Sequence, residues 1–595
     1  MAGKTFVEKI LGATKGSIVF VKPDIVLSHD NSASIEKTFR KMGHSKLADA
    51  SQLMIVLDHN APPTTSKLAN DYQQIRNFVK EQGIARFHDA GEGICHQLIS
   101  LYARPGMLIV GSDSHTCTAG AFNAFAAGID RTETAGIWAT GETWLLVPET
   151  IKIELTGQLP RGVYAKDIAL YIIGMIGSNG ADYRSVEFHG EGIAGLSIAD
   201  RMTIANLASE MGAKNAVFPP DEKLAVFLNQ KFEGVWADAE ANYLQTYKID
   251  LSQLYPLVAC PHHVDHVKAV DEVTGTPVHQ ALIGTCTNGR IEDLREAAQI
   301  LKGQKVPKGF QLHITPASRK IYQQAVSEGL VEIFLDADAN ILSPSCGPCL
   351  GTGQGIPADG TTVISTANRN FLGRMGNKNV NIYLASPATV ALSALNGVIT
   401  SPAVKVGTNV FPFQQSNSPV HEIKSSDFRK SGNVWDYHDA DNLNTDQMFA
   451  GNLTYEINSS EPEKIVPHLL KGFDPMFATQ VEKGDILVCG ENFGCGSSRE
   501  HPAVGMFHAG VRAVIAKSVS RIFFRSAVNQ GLPVIVLPSA IDAYKKGDEV
   551  KIELEKGLAT IGKKEYHFPP FPEKITHVLQ EGGLVNYLTN RQKQS

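Results

Sequence analysis

Two cysteines, Cys346 and Cys349, stand three apart, each close to a proline, in SPSCGPCLGTG (343–353), in a chain that has eight cysteines among 595 residues. A pair at this spacing serves a redox dithiol, half of a zinc site or two ligands of an iron–sulfur cluster. A third thiol narrows the choice. Cys286, in ALIGTCTNGRIEDL, follows a predicted strand and precedes a helix beginning near Ile291. Three cysteines in two strand-end loops fit a cluster with three protein ligands. A structural zinc would want a fourth protein ligand. The nearest cluster, His262, His263 and His266 in PHHVDH, has loose spacing and reads as an ordinary surface segment. The glycines and prolines around Cys346 and Cys349 suit a tight turn that brings backbone close to an inorganic group.

Other stretches carry acids, bases and cations. In GCGSSREH (494–501) a strand gives way to a helix, so Ser497, Ser498 and Arg499 present hydroxyls and a guanidinium at a helix N-terminus, where anions bind. Ser498 also reads as a simple N-cap. In NRNFLGR (368–374) Arg369 and Arg374 are five apart on a glycine-containing loop. Salt-bridging helix faces prefer spacings of three or four, so a carboxylate clamp is the better reading. Asp58 and His59 follow the run QLMIVL, and Asp113, Ser114 and His115 follow MLIV. An aspartate beside a histidine holds the imidazole protonated, as delivery of a proton to a leaving hydroxyl requires.

The elements that must position these residues repeat one rhythm. Short aliphatic runs are followed by Gly, Asp, Ser or Asn loops and then by helical periodicity, as in QLMIVLDHN, GMLIVGSDSHT, HQALIGTCTNG, TTVISTANRN and DILVCGENFGCGSSRE. This is the pattern of α/β folds, whose ligands bind outside the carboxyl ends of the strands. A stretch rich in Pro, Ser and Asn predicts a linker over 399–430, between a large region, 1–398, and a smaller α/β region, 431–595. With 43% hydrophobic and 19% charged residues the chain is globular, and its net charge of −6 supplies no general attraction to nucleic acid or acidic membrane. The N-terminal segment has no apolar signal region, and no run of about 20 apolar residues follows, which predicts a cytoplasmic protein. The cysteines are too sparse for a disulfide scaffold.

GSDSHT (111–116), GTCTNG (285–290), PSCGPC (344–349), NRNFLGR and GCGSSREH, in this order, resemble the aconitase and isopropylmalate isomerase superfamily of 4Fe–4S hydro-lyases, over about residues 20–540. Residues 1–400 resemble the large subunit of the two-subunit isopropylmalate isomerases and 431–595 the small one, so the chain looks like a natural fusion. The resemblance implies three α/β/α domains around a cluster, with a fourth, swivelling α/β domain closing over the substrate. It implies one 4Fe–4S cluster per chain, with Cys286, Cys346 and Cys349 each binding one iron and the fourth iron lacking a protein ligand. In this frame Ser497 is the base, Arg499 and Arg374 bind substrate carboxylate, and Arg369 supports them together with Asn368. Ser498 stands beside the base in the same motif. Asp58 and His59 are the acid pair, and Asp113, Ser114 and His115 surround the iron-bound water. His96 and Glu187 match positions near the cluster. His29 stands where aconitases have a glutamine, a departure from direct contact with a citrate-like carboxylate.

The resemblance places substrate choice after DNLNTDQMFAGNLTYEI (441–457), where enzymes acting on tricarboxylates supply an arginine. No arginine lies between Trp435 and Arg499, and an uncompensated third carboxylate in a closed site is costly. A pocket formed by Leu453, Thr454 and Tyr455 is expected to prefer an apolar substituent. The expected reaction is therefore interconversion of 2- and 3-isopropylmalate through an alkene. Aconitase, homoaconitase and dimethylmalate or citramalate dehydration are the enzymatic alternatives, with Lys464, Lys471 or Lys483 as a cation for a third carboxylate. An RNA-binding relative without a cluster and an electron carrier using Cys260, Cys489 or Cys495 as fourth ligand are further alternatives. Both halves in one chain are compatible with a monomer, with a small 2-hydroxy di- or tricarboxylate as its partner.

Overall fold

The computed structural model describes residues 3–402, 430–450, 453–496 and 499–594. Most of the expected linker therefore lies outside the described residues. Three α/β units precede it and one follows, each built on its own sheet.

In the first, five parallel strands lie in the order Arg86–His88, Leu53–Val56, Ile25–Ser28, Leu108–Gly111, Phe125–Gly128. The inner strands are buried throughout, as their aliphatic sequences LMIV, IVLS and LIVG require of a sheet covered on both faces. Chain direction across this sheet reverses between Ile25–Ser28 and Leu108–Gly111. The loops leaving these two strands are tied together, since Asn31 Nδ2 donates to Ser112 O (3.1 Å) and Ser112 Oγ to Asn31 Oδ1 (3.0 Å). Such a switch point opens a crevice for ligands.

A second sheet of four parallel strands, Asn215–Val217, Ser185–His189, Thr150–Thr156 and Gln245–Asp250, shares its core with the third. The third has seven strands, and its parallel part runs Val380–Ala385, Thr361–Ser365, Gln280–Gly284, Gln311–Thr315, Asn340–Ile341. Its direction reverses between Thr361–Ser365 and Gln280–Gly284. Cys286 and Asn368 sit just past these two ends. After the linker, the parallel strands Val434–Tyr437, Ile486–Cys489, Ala513–Ala516 and Val534–Val536 are followed by an antiparallel three-stranded sheet over 550–567. No helix among the described residues is long and apolar enough to cross a membrane.

One helix, Arg521–Asn529, docks the C-terminal unit onto the others. Arg521, Arg525 and Asn529 fall four apart, on one face. Arg525 forms a two-pronged buried pair with Glu133, Nε donating to Oε2 at 2.9 Å, and lies 3.9 Å from the centre of the Trp144 ring. Asn529 Nδ2 donates to Asp130 Oδ2 (2.9 Å). Further polar contacts cross the same boundary: the carboxylate of Glu500 accepts from the hydroxyl of Thr132, and Gln530 Nε2 donates to Thr132 Oγ1 (3.0 Å). Trp144, Val528 and Ile575 add a small apolar contact, and the last helix, Leu584–Gln594, seats Leu584 against Gly136, where a Cβ would stand 2.9 Å from it.

Removing one member of a buried ion pair strands the other charge, at a cost of about 3–5 kcal/mol, whereas removing both is close to neutral. Arg525→Met alone should lower the thermal midpoint clearly, and Glu133→Leu with Arg525→Met should recover most of the loss in differential scanning calorimetry. Equal losses in the single and double variants would show that the pair is not what holds the boundary.

Candidate active site

His59 lies past the strand Leu53–Val56, between two carboxylates: Nδ1 is 2.7 Å from Asp58 Oδ1 and Nε2 is 3.4 Å from Asp113 Oδ2. Its ring stacks on His29 at 3.8 Å. Burial opposes charge on His59, but Cys346, Asp58 and Asp113 together hold its pKa well above the ordinary imidazole value. Asp58 is fully buried; against the burial penalty, the His59 charge and the N–H of Cys95, 2.7 Å from Oδ2, keep it down at about 2. His29 goes the other way, pushed down to about 3 by burial and by the His59 charge. Neutral His29 thus backs a charged His59.

Asp113 is the hub of the site. Its Oδ1 meets His96 Nε2 at 2.8 Å and accepts the backbone N–H of His115 at 2.7 Å. Burial works against its charge, and the three imidazoles of His96, His115 and His59 hold it well below the usual carboxylate range. His115 Nε2 contacts Glu210 Oε1 (2.8 Å), Arg369 Nε donates to the same carboxylate (2.9 and 3.0 Å), and Arg369 Nη2 donates to Ser114 Oγ (2.9 Å). Although burial raises the pKa of Glu210, Arg369 and His115 bring it to about 2. A continuous chain of polar contacts therefore runs Asp58, His59, Asp113, His115, Glu210, Arg369, Ser114.

The thiols lie beside this chain. Cys286 is presented by a tight turn: a Cβ on Gly284 (φ 128°) would stand 2.0 Å from Thr315 O, and β-branched Thr285 follows at φ 67°, a conformation L residues avoid. Thr366 pins that turn by accepting from Gly284 N at 2.9 Å. Asn206 Nδ2 (3.4 Å) and Asn368 Nδ2 (3.5 Å) donate to Cys286 Sγ, and Arg374 Nη2 donates to Cys349 Sγ (3.6 Å). Buried Lys166 donates to the carbonyls of Thr366 and Ala367 (2.8 and 2.6 Å), shaping the loop that carries Asn368 and Arg369. Its pKa is lowered to about 7, chiefly by burial and against the pull of Cys286 and Cys349.

This donor set discriminates among inorganic groups. Thiolates on a single zinc ion stand about 3.8 Å apart, given tetrahedral bonds of about 2.3 Å. The three cysteines feel one another's charge, yet they are absent from the described groups whose ligand atoms all lie within 4.8 Å of one another. A wider spacing, with N–H donors aimed at two of the sulfurs, fits a multi-iron core. His262, His263 and His266 form no such group either; Asn370 Nδ2 reaches past their side chains to the carbonyls of Cys260 (2.7 Å) and His263 (3.4 Å). Cys489 is buried in its strand and Cys495 Sγ contacts Asn442 O (3.4 Å).

Most residues singled out from sequence meet here: Asp58, His59, His96, Asp113, Ser114, His115, Arg369, Arg374 and the three thiols. Glu187 does not. Its Oε1 accepts from Phe6 N (2.7 Å) and its Oε2 meets Tyr243 OH (2.9 Å) and His189 Nε2 (3.1 Å), so it ties the N-terminal helix to the second sheet. Its place beside a site histidine is taken by Glu210, which no sequence motif marks; the same holds for Asn206 and Lys166. Ser497 and Ser498 lie outside the described residues. Arg499 Nη1 donates to Phe449 O (2.8 Å) and Nη2 pairs with Asp446 Oδ1 (2.9 Å). Leu453 packs with Phe449, Ile457, Ile465 and Val504, Thr454 is half-buried beside it, and the side chain of Tyr455 lies outside the described set. Lys464, Lys471 and Lys483 are exposed.

If Glu210 orients His115 and Arg369, Glu210→Gln should lower kcat by about 10- to 100-fold while the protein stays folded. Glu187→Gln should instead lower the thermal midpoint and leave kcat within about twofold. The reverse pattern in steady-state kinetics and calorimetry would return the catalytic role to Glu187.

The model of the aconitase family (aconitate hydratase) matches residues 4–397, and that of the aconitase C-terminal domain matches 417–540. The chain is 44% identical over 413 residues to the 3-isopropylmalate dehydratase large subunit 1 of Methanopyrus kandleri, covering 67% of this chain and 99% of the relative. It is 48% identical over 386 residues to a probable methanogen homoaconitase large subunit of Methanosarcina mazei, covering 64% and 98%. A solved 3-isopropylmalate dehydratase (leuD) of Methanocaldococcus jannaschii is 38% identical, covering 26% of this chain and 90% of its own, with a TM-score of 0.24. With two thirds of its length matched by the family model and a charge network and thiol set suited to removing water, the chain belongs to the aconitase family of hydro-lyases.

Proposed function

We propose that this chain isomerises a 2-hydroxy acid by loss and return of water, interconverting 2- and 3-isopropylmalate, as a single cytoplasmic polypeptide that houses both halves of its site. The carrying observation is His59 held between Asp58 and Asp113, an acid kept charged where a leaving hydroxyl needs a proton. Cys286, Cys346 and Cys349 would hold a 4Fe–4S cluster, which when bound supplies a Lewis-acidic iron without a protein ligand for the substrate hydroxyl.

The protein's own groups supply the remainder. Ser497 removes the proton beside a carboxylate, and His59 delivers a proton to the departing hydroxyl, so that one water leaves and an alkene remains. Rehydration at the neighbouring carbon reverses both transfers. Arg374, Arg499 and the Arg369–Ser114 pair hold the substrate carboxylates. Asp113, His96, His115 and Glu210 keep the acid oriented. The three exposed lysines and the name of the Methanopyrus kandleri relative support an apolar substituent over a third carboxylate. A tricarboxylate reading is favoured by the homoaconitase name of the Methanosarcina mazei relative and by half-buried Arg131, at the carboxyl edge of the first sheet, whose charge is felt by His29 and His501.

The test is anaerobic reconstitution with iron and sulfide, followed by alkene absorbance with 2-isopropylmalate, citrate, homocitrate and 2,3-dimethylmalate. Turnover of isopropylmalate alone is expected, with loss of visible cluster absorbance in each of Cys286→Ala, Cys346→Ala and Cys349→Ala. Turnover of citrate or homocitrate would transfer the specificity to Arg131, and Arg131→Ala should then abolish it.

A further inference from the structure

Arg521 belongs to the C-terminal unit, yet its guanidinium ends inside the other half of the molecule. Nη2 donates to Ser209 Oγ (2.8 Å) and to Ser114 O (3.3 Å), and Nη1 donates to Lys214 O (3.2 Å). The side chain is 4% exposed. Among the described residues no carboxylate lies within ion-pair distance of it, so the hydrogen bonds of a desolvated charge go to two carbonyls and a hydroxyl, with the charges of Asp182 and Glu210 felt from farther off. That is an expensive arrangement for a residue whose only task is adhesion. Arg525, one turn on, shows the ordinary solution, a direct carboxylate partner in Glu133.

The acceptors explain the difference. Ser114 has its hydroxyl held by Arg369 and its carbonyl by Arg521, so the two arginines fix it from opposite units. Ser209 precedes Glu210 in the 3₁₀ turn Ala208–Met211, and Glu210 bridges His115 to Arg369. One guanidinium thus grips both ends of the Ser114, Arg369, Glu210, His115 loop of contacts.

We propose that Arg521 is a positioning residue that couples docking of the C-terminal unit to the substrate-binding geometry of Ser114 and Glu210, a role that rests on the hydro-lyase reading of this site. The site is then assembled only when helix Arg521–Asn529 is seated, so the docking that brings in the unit carrying Arg499 is the same event that orders Ser114 and Glu210.

The experiment uses the full chain, reconstituted, as wild type, Arg521→Gln, Arg521→Lys and Asn529→Ala. Asn529 crosses the same boundary from the same helix face but contacts Asp130, away from Ser114. Amide hydrogen exchange of segments 112–118 and 207–212 should rise about 10-fold in Arg521→Gln, with partial recovery in Arg521→Lys, and stay within about twofold in Asn529→Ala. The kcat/KM of Arg521→Gln should fall about 10- to 100-fold, about the value of one charge-assisted hydrogen bond, at a thermal midpoint no lower than that of Asn529→Ala. Unchanged exchange in both segments in Arg521→Gln, or an equal rise in Asn529→Ala, overturns the proposal. Should Arg521→Gln fail to fold, Arg521→Lys decides on the same exchange criterion. A wild type that turns over none of the substrates overturns the hydro-lyase reading, while the exchange comparison still decides whether Arg521 orders the site.

Discussion

A carboxylate removed from water must be surrounded by donors or give up its charge, and Asp113 meets that condition with three imidazoles and a backbone N–H. The rest of the site follows from that requirement. His59 stays charged because Asp113 and Asp58 remain ionised on either side of it. His115 needs an acceptor on its far nitrogen, which Glu210 provides, and Glu210 in turn needs Arg369. Each charge is the reason the next one persists, so the network behaves as one unit rather than a set of pairs.

Such a network needs side chains from distant segments to meet within hydrogen-bonding distance, and the parallel sheets provide this. Direction reversal between Ile25–Ser28 and Leu108–Gly111 in one sheet, and between Gln280–Gly284 and Thr361–Ser365 in another, opens two crevices whose loops carry His29, Asp113, Cys286 and Asn368. Asn206 joins them, donating to Cys286 while its amide oxygen accepts from Asn368 Nδ2 at 3.3 Å. The loop carrying Cys346 and Cys349 packs closely on itself: a Cβ on Gly353 would lie 2.3 Å from Gly347 O.

The C-terminal unit is attached by a second kind of economy. The face of helix Arg521–Asn529 makes polar contacts with the first half, with Arg521 reaching behind Ser114, and the last helix adds apolar ones through Leu584, Val585 and Leu588. A relative named as a large subunit covers 67% of this chain at 99% of its own length, and the C-terminal family model matches residues 417–540. The polar part of the tie is geometrically exacting, since each guanidinium of Arg521 and Arg525 meets several acceptors at once.

What the sequence determined by itself is local: strand-end loops bearing Asp58 and His59, Asp113 to His115, Cys286, the Cys346–Cys349 pair and the Arg369–Arg374 loop, because aliphatic runs followed by polar loops mark the carboxyl ends of α/β strands and the residue types there state their chemistry. It also carried the family resemblance, through motif order. What only the tertiary structure decided is partnership. Glu187 and Glu210 are both buried or nearly so in the same unit, and nothing in SVEFHG or LASEMG says which faces His115. Strand order and helix packing settle that, as they settle that Arg521 leaves its own unit to hold Ser114 while Arg525 pairs with Glu133. Hydrogen-bond partners are fixed by distances of a few ångströms between segments far apart in the chain, and such distances exist only once the sheets have assembled.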